Sequence, residues 1–142
     1  MDTDEKRIKH LEMIQGVINR LAGNSFAMKG WSVTLISALI VVAVDKGKGE
    51  FALVGVFPAL VFWILDGYFL WQERLFHQLF NAVRLEKMQK PEDFFTMDTR
   101  LFLKTAPSWL HTTFSIGKKP NTLLCFHGTV ILSVLIAVKI LN

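Results

Sequence analysis

Several features on which soluble and secreted proteins depend are scarce in this chain. It has a single cysteine, Cys125, so no disulfide can form within it. Charged residues make up 20 % of the 142 residues, whereas a soluble domain has roughly 25 %. No internal repeat or low-complexity run is present. The composition therefore excludes a disulfide scaffold and a disordered chain, and it disfavours a soluble enzyme with a polar surface.

Sequence motifs of the common enzyme classes are also missing. The chain contains no HExxH or CxxC metal motif, no P-loop, no GxGxxG and no GxSxG. Its four histidines, none of which is paired with another ligand residue at metal spacing, are His10, His77, His111 and His127. We therefore expect no enzymatic activity, no cofactor and no bound metal. We interpret His127 as a polar residue inside a packed helix bundle.

Apolar and aromatic residues are abundant instead. Hydrophobic residues make up 51 % of the chain, which includes 12 Phe and 4 Trp, and its mean hydropathy is positive. A chain of this length has the size of one domain. A domain this small buries only about two thirds of its surface. The excess of apolar side chains must therefore face something other than water, and lipid is the obvious candidate.

The apolar residues fall into three blocks, 26–44, 51–71 and 121–141. Each block has about twenty residues, and a helix that rises about 1.5 Å per residue then matches the roughly 30 Å hydrocarbon core of a bilayer. Lys29 and Lys139 lie near block ends, where their side chains can reach the headgroups. We therefore predict an all-α integral membrane protein with three transmembrane helices.

Lys and Arg residues indicate the orientation. They are concentrated before the first block and in 72–120, whereas the connection 45–50 has two lysines and two acids. The positive-inside rule places the N-terminus and 72–120 in the cytoplasm and the C-terminus outside. We predict a bacterial inner-membrane protein whose parts are a cytoplasmic amphipathic helix (1–25), a transmembrane hairpin (26–71), a cytoplasmic helical section (72–120) and a third transmembrane helix (121–142). This charge distribution explains the net charge of +4, so no direct contact with nucleic acid is expected.

The segment 5–22 has the pattern of an amphipathic helix. Its apolar stripe, spaced three and four residues apart, consists of Leu11, Ile14, Ile18 and Leu21. This helix continues into the first span either directly or with a kink. The stripe can lie on the bilayer, pack on other cytoplasmic helices, or form an interface between subunits.

The second span is predicted to continue past the membrane as one long helix from residue 51 to residue 89. Such a helix would be almost 60 Å long and would project into the cytoplasm. Phe76 and Phe80 lie on the apolar face of its extension. That face needs a partner, which is either the N-terminal helix or a neighbouring subunit.

Polar residues inside the apolar blocks need a separate explanation. Asp66 lies five residues before Trp71, and an acid at the centre of a bilayer costs about 2.5–3.5 kcal/mol on insertion scales. One interpretation is a carboxylate that lines a pore or carries protons. The other is a structural partner for Lys29, at a similar depth in the first span, or for nearby hydroxyl and indole donors.

Small residues recur at helical spacing in all three blocks. These faces are Gly30, Thr34 and Ala38, then Ala52, Gly55 and Ala59, then Thr129, Ser133 and Ala137. Small faces let helices approach closely in lipid, and three of them exceed what one compact subunit needs. We therefore predict a homo-oligomer. Pro58 in the second span is expected to kink that helix.

Two stretches resemble a family of small bacterial inner-membrane proteins. They read RIKHLEMIQGVINRLAGNSFAMKGWSVTL (7–35) and FPALVFWILDGYFLWQERLF (57–76). That family is similar to the octameric membrane proteins of antiviral defence loci, including a pore-forming accessory protein of RNA-targeting CRISPR systems. The resemblance implies a ring of subunits around an opening that depolarises or permeabilises the membrane of an infected cell. It carries over no catalytic residue. We infer that an opening would be lined by polar positions, Asn19, Asn24, Ser25 and Lys29, with Asp66 as a further intramembrane polar group.

The prediction is thus a cyclic homo-oligomer, with an octamer as the first guess, that acts as a pore or channel-like defence effector, with a possible partner protein from the same defence system. Subunit contacts are predicted at Leu11, Ile14, Ile18, Leu21, Phe76 and Phe80. The alternative is a non-conducting membrane scaffold whose cytoplasmic section binds a soluble partner through Phe94, Phe95, Trp109 and Phe114. A transporter is a weaker third possibility, because the chain shows no inverted repeat.

Overall fold

A computed structural model describes residues 2–88, 90, 93–114 and 122–141 of the chain. These residues contain no β-strand, which confirms the prediction of an all-α protein. The helices in chain order are α1 (Thr3–Lys46), α2 (Gly49–Leu53), α3 (Val56–Arg84), a 3-10 helix (Arg100–Phe102), α4 (Trp109–Phe114) and α5 (Thr122–Leu141).

Helix α1 runs for 44 residues without a break and crosses the predicted boundary at residue 25. At its start the Asp2 side chain accepts a hydrogen bond from the Thr3 N–H at 2.6 Å, which satisfies one of the free donors of the first turn. At its end Gly47 adopts a left-handed conformation with φ of 60°, and its N–H bonds back to the last carbonyls. Of the two predicted continuations, the direct one is confirmed.

The predicted helix from residue 51 to residue 89 is wrong at both ends. The short helix α2 replaces its beginning, and a turn between Leu53 and Val56 separates α2 from α3. Pro58 lies in the first turn of α3, four residues after Val54. Because proline has no N–H to bond the carbonyl four residues earlier, the interruption at Val54 and Gly55 lies where Pro58 would disturb a helix, and the predicted kink stays a prediction.

The other end of α3 lies at Arg84, five residues earlier than predicted. Glu86, two residues further on, has a positive φ of 56°, which a helix cannot contain. The Glu86 carboxylate pairs with the Arg7 guanidinium of α1. The extension of α3 is thus shorter than predicted, and its end is tied to the beginning of α1.

Two apolar cores lie along α1. In the first core, Ile36 and Ala43 of α1 pack with Ala52 of α2, Ala59 of α3, and Val130 and Val134 of α5. The second joins Ile14 and Ile18 to Leu79 and Val83 of α3, with Leu11, Phe76 and Phe80 packed around them. Of the two partners predicted for the Phe-rich face of α3, the structure places the N-terminal part of α1 against it.

Within the described residues, three helical stretches are long and apolar enough to cross a membrane: α1, the α2–α3 pair and α5. In the most apolar 18-residue window of α1, only 17 % of the residues are buried inside the chain. In the corresponding windows of the other two stretches the buried share is 22 %. Most apolar side chains in these windows thus point away from the protein's own interior. This exposure, together with length and composition, suggests a membrane location.

The segment after α3 contains a polar turn. The Asp98 carboxylate accepts hydrogen bonds from the backbone N–H of Arg100 and from its guanidinium, all between 2.8 and 3.1 Å. These bonds lower the pKa of Asp98 to about 2. The carboxylate thus satisfies the N–H of Arg100, the first residue of the 3-10 helix, as the side chain of an Asx-turn does.

Helix α4 packs against α3 where a glycine allows close approach. Thr112 and Thr113 of α4 are buried, and Thr113 lies directly over Gly67. A β-carbon added at Gly67 would lie 2.2 Å from the Thr113 Oγ1 atom, well inside van der Waals contact. Gly67 is therefore the position that sets the spacing between α3 and α4.

We predict that Gly67→Ala destabilises the protein by about 1–3 kcal/mol, because α4 must move to make room. The matched control is Gly128→Ala in α5, where an added β-carbon meets nothing within 4 Å. That variant should be neutral or slightly more stable, since Ala favours a helix over Gly by roughly 0.5–1 kcal/mol. Reversible unfolding by SDS in mixed micelles measures both. Equal effects at the two positions would contradict the close contact.

Candidate functional site

Four polar side chains from three different helices meet in one cluster. Ser25 and Lys29 come from α1, Asp66 from α3 and His127 from α5. Asp66 and His127 have no solvent exposure and Ser25 is 8 % exposed, while the Lys29 side chain keeps 27 %. We call these four residues the Asp66 cluster. It lies within the apolar stretches of all three helices.

The Asp66 carboxylate is fully hydrogen-bonded. Its Oδ1 atom accepts from the Ser25 hydroxyl at 2.5 Å and from the Lys29 ammonium at 2.8 Å. Its Oδ2 atom contacts the Lys29 Nζ atom at 2.6 Å and the His127 Nε2 atom at 2.9 Å. An ionised carboxylate offers about four lone-pair positions, and this one has three hydrogen bonds and one ion-pair contact. This satisfies the condition under which a buried charge is tolerated.

The proton positions follow from these contacts. Lys29 donates to Ser25 Oγ and to Asp66 Oδ1, and its Nζ atom forms an ion pair with Asp66 Oδ2. An ionised carboxylate can only accept, so His127 Nε2 carries a hydrogen and donates to Asp66. His127 Nδ1 is buried and has no partner within the described residues. A neutral His127 leaves one lone pair there, whereas a charged ring would leave an unsatisfied donor.

Aromatic rings enclose the imidazole of His127. The Trp63 ring stacks on it at 5.9 Å with an interplanar angle of 10°, and Phe126 meets it edge-on at 5.1 Å. The Trp63 Nε1–H donates to the carbonyl of Thr113 at 3.3 Å, which joins α4 to the same region. The cluster is thus shielded on the α3 and α5 sides by rings and touches α4 through Trp63.

The cluster joins three helices through polar contacts. Ser25 lies beside an amine, as a nucleophilic serine does, but an ammonium group paired with a carboxylate has no lone pair with which to act as a base. Within the described ranges no group of three His, Cys, Asp or Glu side chains is placed to bind a metal. Its chemistry is therefore that of a buried ion pair that links α1, α3 and α5.

The structure separates the predicted polar site residues into two groups. Ser25, Lys29 and Asp66 come together, and the Lys29 Nζ atom lies 2.6 Å from the Asp66 carboxylate, the contact that the structural interpretation of Asp66 expects. Asn19 lies on the exposed surface of α1, where it accepts a hydrogen bond from Gln15, and Asn24 is half-buried. Since Asp66 and Ser25 are occluded inside one chain, neither is at the protein surface.

The sequence reasoning identified His127 as a buried polar residue, and its complete burial confirms this. It missed the contact with Asp66, although a signal was available. Asp66 lies five residues before Trp71, and His127 lies five residues after the start of α5. Both therefore lie roughly 7–8 Å along the helix from the end of their apolar block that adjoins residues 72–120. A comparison of depths, rather than of sequence spacing, would have paired them.

The residues predicted at the subunit interface lie largely in the second core. Ile14 and Ile18 are 0 % and 4 % exposed within one chain, whereas Leu11, Leu21, Phe76 and Phe80 are half-buried. The interface at these positions stays a prediction. The two isoleucines are already buried within a single chain.

Comparison with known proteins adds no assignment: no protein-family model matches the chain, and no curated protein or solved structure is similar to it.

We predict that Lys29→Met and Asp66→Asn each destabilise the protein by about 3–5 kcal/mol, because each leaves part of a buried ion pair uncompensated. The double variant should lose less than the sum, with a coupling of about 0.5–3 kcal/mol. Glu12→Gln serves as the control, because Glu12 pairs with Lys9 at an exposed site and should change stability by less than about 1 kcal/mol. SDS unfolding again provides the free energies. Strict additivity would mean that the two charges do not interact.

Proposed function

We propose that this protein is a homo-oligomeric pore of the bacterial inner membrane, with the outer face of α1 at the contacts between subunits and along the opening. The single observation that carries this proposal is the composition of that face. On the side of α1 opposite its buried stripe, most exposed residues are small or polar, with Val41 as a large apolar exception, whereas a membrane span that faces lipid would have mainly large apolar side chains.

The outer face of α1 follows the helical repeat. Its exposed members include Gly16, Asn19, Gly23, Gly30, Thr34, Ser37 and Ala38, together with Val41. Gly16, Gly23, Gly30 and Ser37 recur every seven residues, and a drift of about 20° per repeat leaves them on one side of the helix. A β-carbon added at any of the three glycines would meet nothing within 4 Å. The glycines therefore serve no close contact inside the chain.

Contact with lipid does not explain a helix face that is rich in small and polar residues. Association of helices in a bilayer depends on close packing, and small residues favour it because the backbones can approach. Hydroxyl and amide groups on a membrane span are likewise placed against other helices or a water-filled cavity. A second copy of α1 supplies the first environment, and an opening at the centre of a ring supplies the second.

The other small faces divide into two kinds. Ala52 and Ala59 are fully buried in the first core, and Gly55 lies against the Ile36 side chain, so this face packs inside the subunit. Thr129 and Ser133 of α5 are exposed. A ring needs two different surfaces on each subunit, since its contacts join one surface to the other. The outer face of α1 and the exposed face of α5 provide such a pair.

In this proposal the Asp66 cluster is part of the pore wall and not of its lining. Its charges balance within each subunit, and it holds α1 against α3 and α5 while the outer face of α1 meets the opening. Antiviral defence by depolarisation or permeabilisation is the setting that the family resemblance implies. It is tested separately, by phage challenge of cells with and without the protein.

We predict that the purified protein forms a multi-subunit particle in detergent and conducts ions in a planar bilayer. Gly30→Leu should abolish both, because a large side chain on the outer face of α1 prevents close packing. Val42→Leu is the matched control, since it places the same side chain at another exposed position of the same helix and should leave both unchanged. Mass photometry measures the particle.

Two results would overturn the pore. One is a monomeric particle. The other is an intact oligomer without conductance above that of lipid alone, a result that would favour the scaffold alternative.

The proposed orientation predicts which positions face the outside of the cell. In a Cys125→Ser background, Lys48→Cys in the α1–α2 connection should react with a membrane-impermeant maleimide in intact spheroplasts. Lys104→Cys, in the segment before α4, should react only after permeabilisation. Both lysines are exposed in the structure, so access depends on the membrane alone. The reverse pattern would show that the protein has the opposite topology.

A further inference from the structure

The exposure pattern of α4 is the reverse of that in a water-soluble amphipathic helix. Its two threonines, Thr112 and Thr113, are 2 % and 0 % exposed, whereas Leu110 and Phe114 are 60 % and 42 % exposed. Leu110 and Phe114 are four residues apart and therefore share one face of the helix. The two threonines thus point towards the protein and Leu110 and Phe114 point away from it, while His111 is exposed as well.

The contacts of α4 place it at the depth of the apolar part of α3. Thr113 packs on Gly67, and the Phe114 ring lies 5.3 Å from the Trp63 ring. Trp63 lies eight residues before Trp71 in the candidate span, which corresponds to roughly 12 Å along the helix. Trp63 also stacks on His127 of α5, so two candidate spans fix this depth independently.

A hydrogen bond from α3 holds α4 at Thr112. Arg74 of α3, beyond the aromatic residue at position 71, donates to the Thr112 Oγ1 atom at 3.3 Å. Thr113 turns its own hydroxyl inward to the carbonyl of Trp109 at 2.9 Å. The α4 hydroxyl groups are thus satisfied by protein, and none of them needs water.

From these contacts we infer that α4 is immersed in the cytoplasmic leaflet of the bilayer, with Leu110 and Phe114 in contact with lipid acyl chains. This inference rests on the proposed membrane location. It changes the assignment of residues 109–114 from a cytoplasmic section to a short membrane-embedded helix. Its role is to cover the region of Trp63 and Gly67, next to the Asp66 cluster, with a surface that suits hydrocarbon.

The occupant of the outer face of α4 follows from the same depth. At the level of Trp63 a surface meets either acyl chains or another protein. Leu110 and Phe114 are large and apolar, unlike the small residues on the outer face of α1 that suit contact between helices. Two side chains of this kind are what a lipid-facing surface requires, so lipid is the partner we assign.

Spin labels test this inference on the full-length protein in liposomes. Single cysteines replace Leu110 and Phe114 in a Cys125→Ser background, and power saturation compares collisions with oxygen, which partitions into lipid, and with a water-soluble nickel chelate. Both positions are exposed, so neither label needs space inside the fold. The references are Ile136→Cys, exposed in α5, and Leu85→Cys, exposed just after α3.

We expect the ratio of oxygen to nickel collisions at Leu110 and Phe114 to rise to the value at Ile136, well above the value at Leu85. A ratio at both positions equal to that at Leu85 would show that α4 lies in water. Low collision rates with both reagents would show that another protein surface covers α4. Each of these two results overturns the inference while leaving the membrane location intact. If Ile136 itself gave the ratio of Leu85, the membrane location would fail as well.

Discussion

The structure depends on one constraint: an ionised carboxylate at Asp66 must be fully hydrogen-bonded where water is absent. No single helix can meet this condition, because side chains on one helix do not surround each other. Lys29, Ser25 and His127 meet it from two other helices. The carboxylate therefore specifies which helices are neighbours and at what register, a function for which apolar packing alone is poorly suited.

Helix α1 carries the consequences of this constraint along its whole length. Its continuity through Gly23 and Gly30 keeps Ser25 and Lys29 in line with the isoleucines of both cores. A kink in this stretch would rotate Lys29 away from Asp66. The same continuity keeps the exposed glycines on the opposite side of the helix. A single helix thus presents one face to its own subunit and a chemically different face to the surroundings.

The sequence predicted the helical class and three apolar helices long enough to cross a membrane, and it offered contact with Lys29 as one of two interpretations of Asp66, because hydrophobic blocks and charge cost are local properties. It did not predict the end of α3 at Arg84, since the positive φ at Glu86 accompanies an ion pair with Arg7, far away in the chain. It also missed the contact of His127 with Asp66, 61 residues apart. Long-range pairs of this kind depend on the relative depth of separate helices, which sequence spacing does not report.

The Asp66 cluster and the outer face of α1 share a helix, so a change at one should be felt at the other. If neighbouring subunits shift α1 along its axis by one turn, about 5.4 Å, Lys29 loses its contacts with the carboxylate, which then remains buried beside His127 alone. That arrangement is costly, because a buried carboxylate and a neutral imidazole do not balance in charge. The cluster therefore resists sliding of α1 along its own axis.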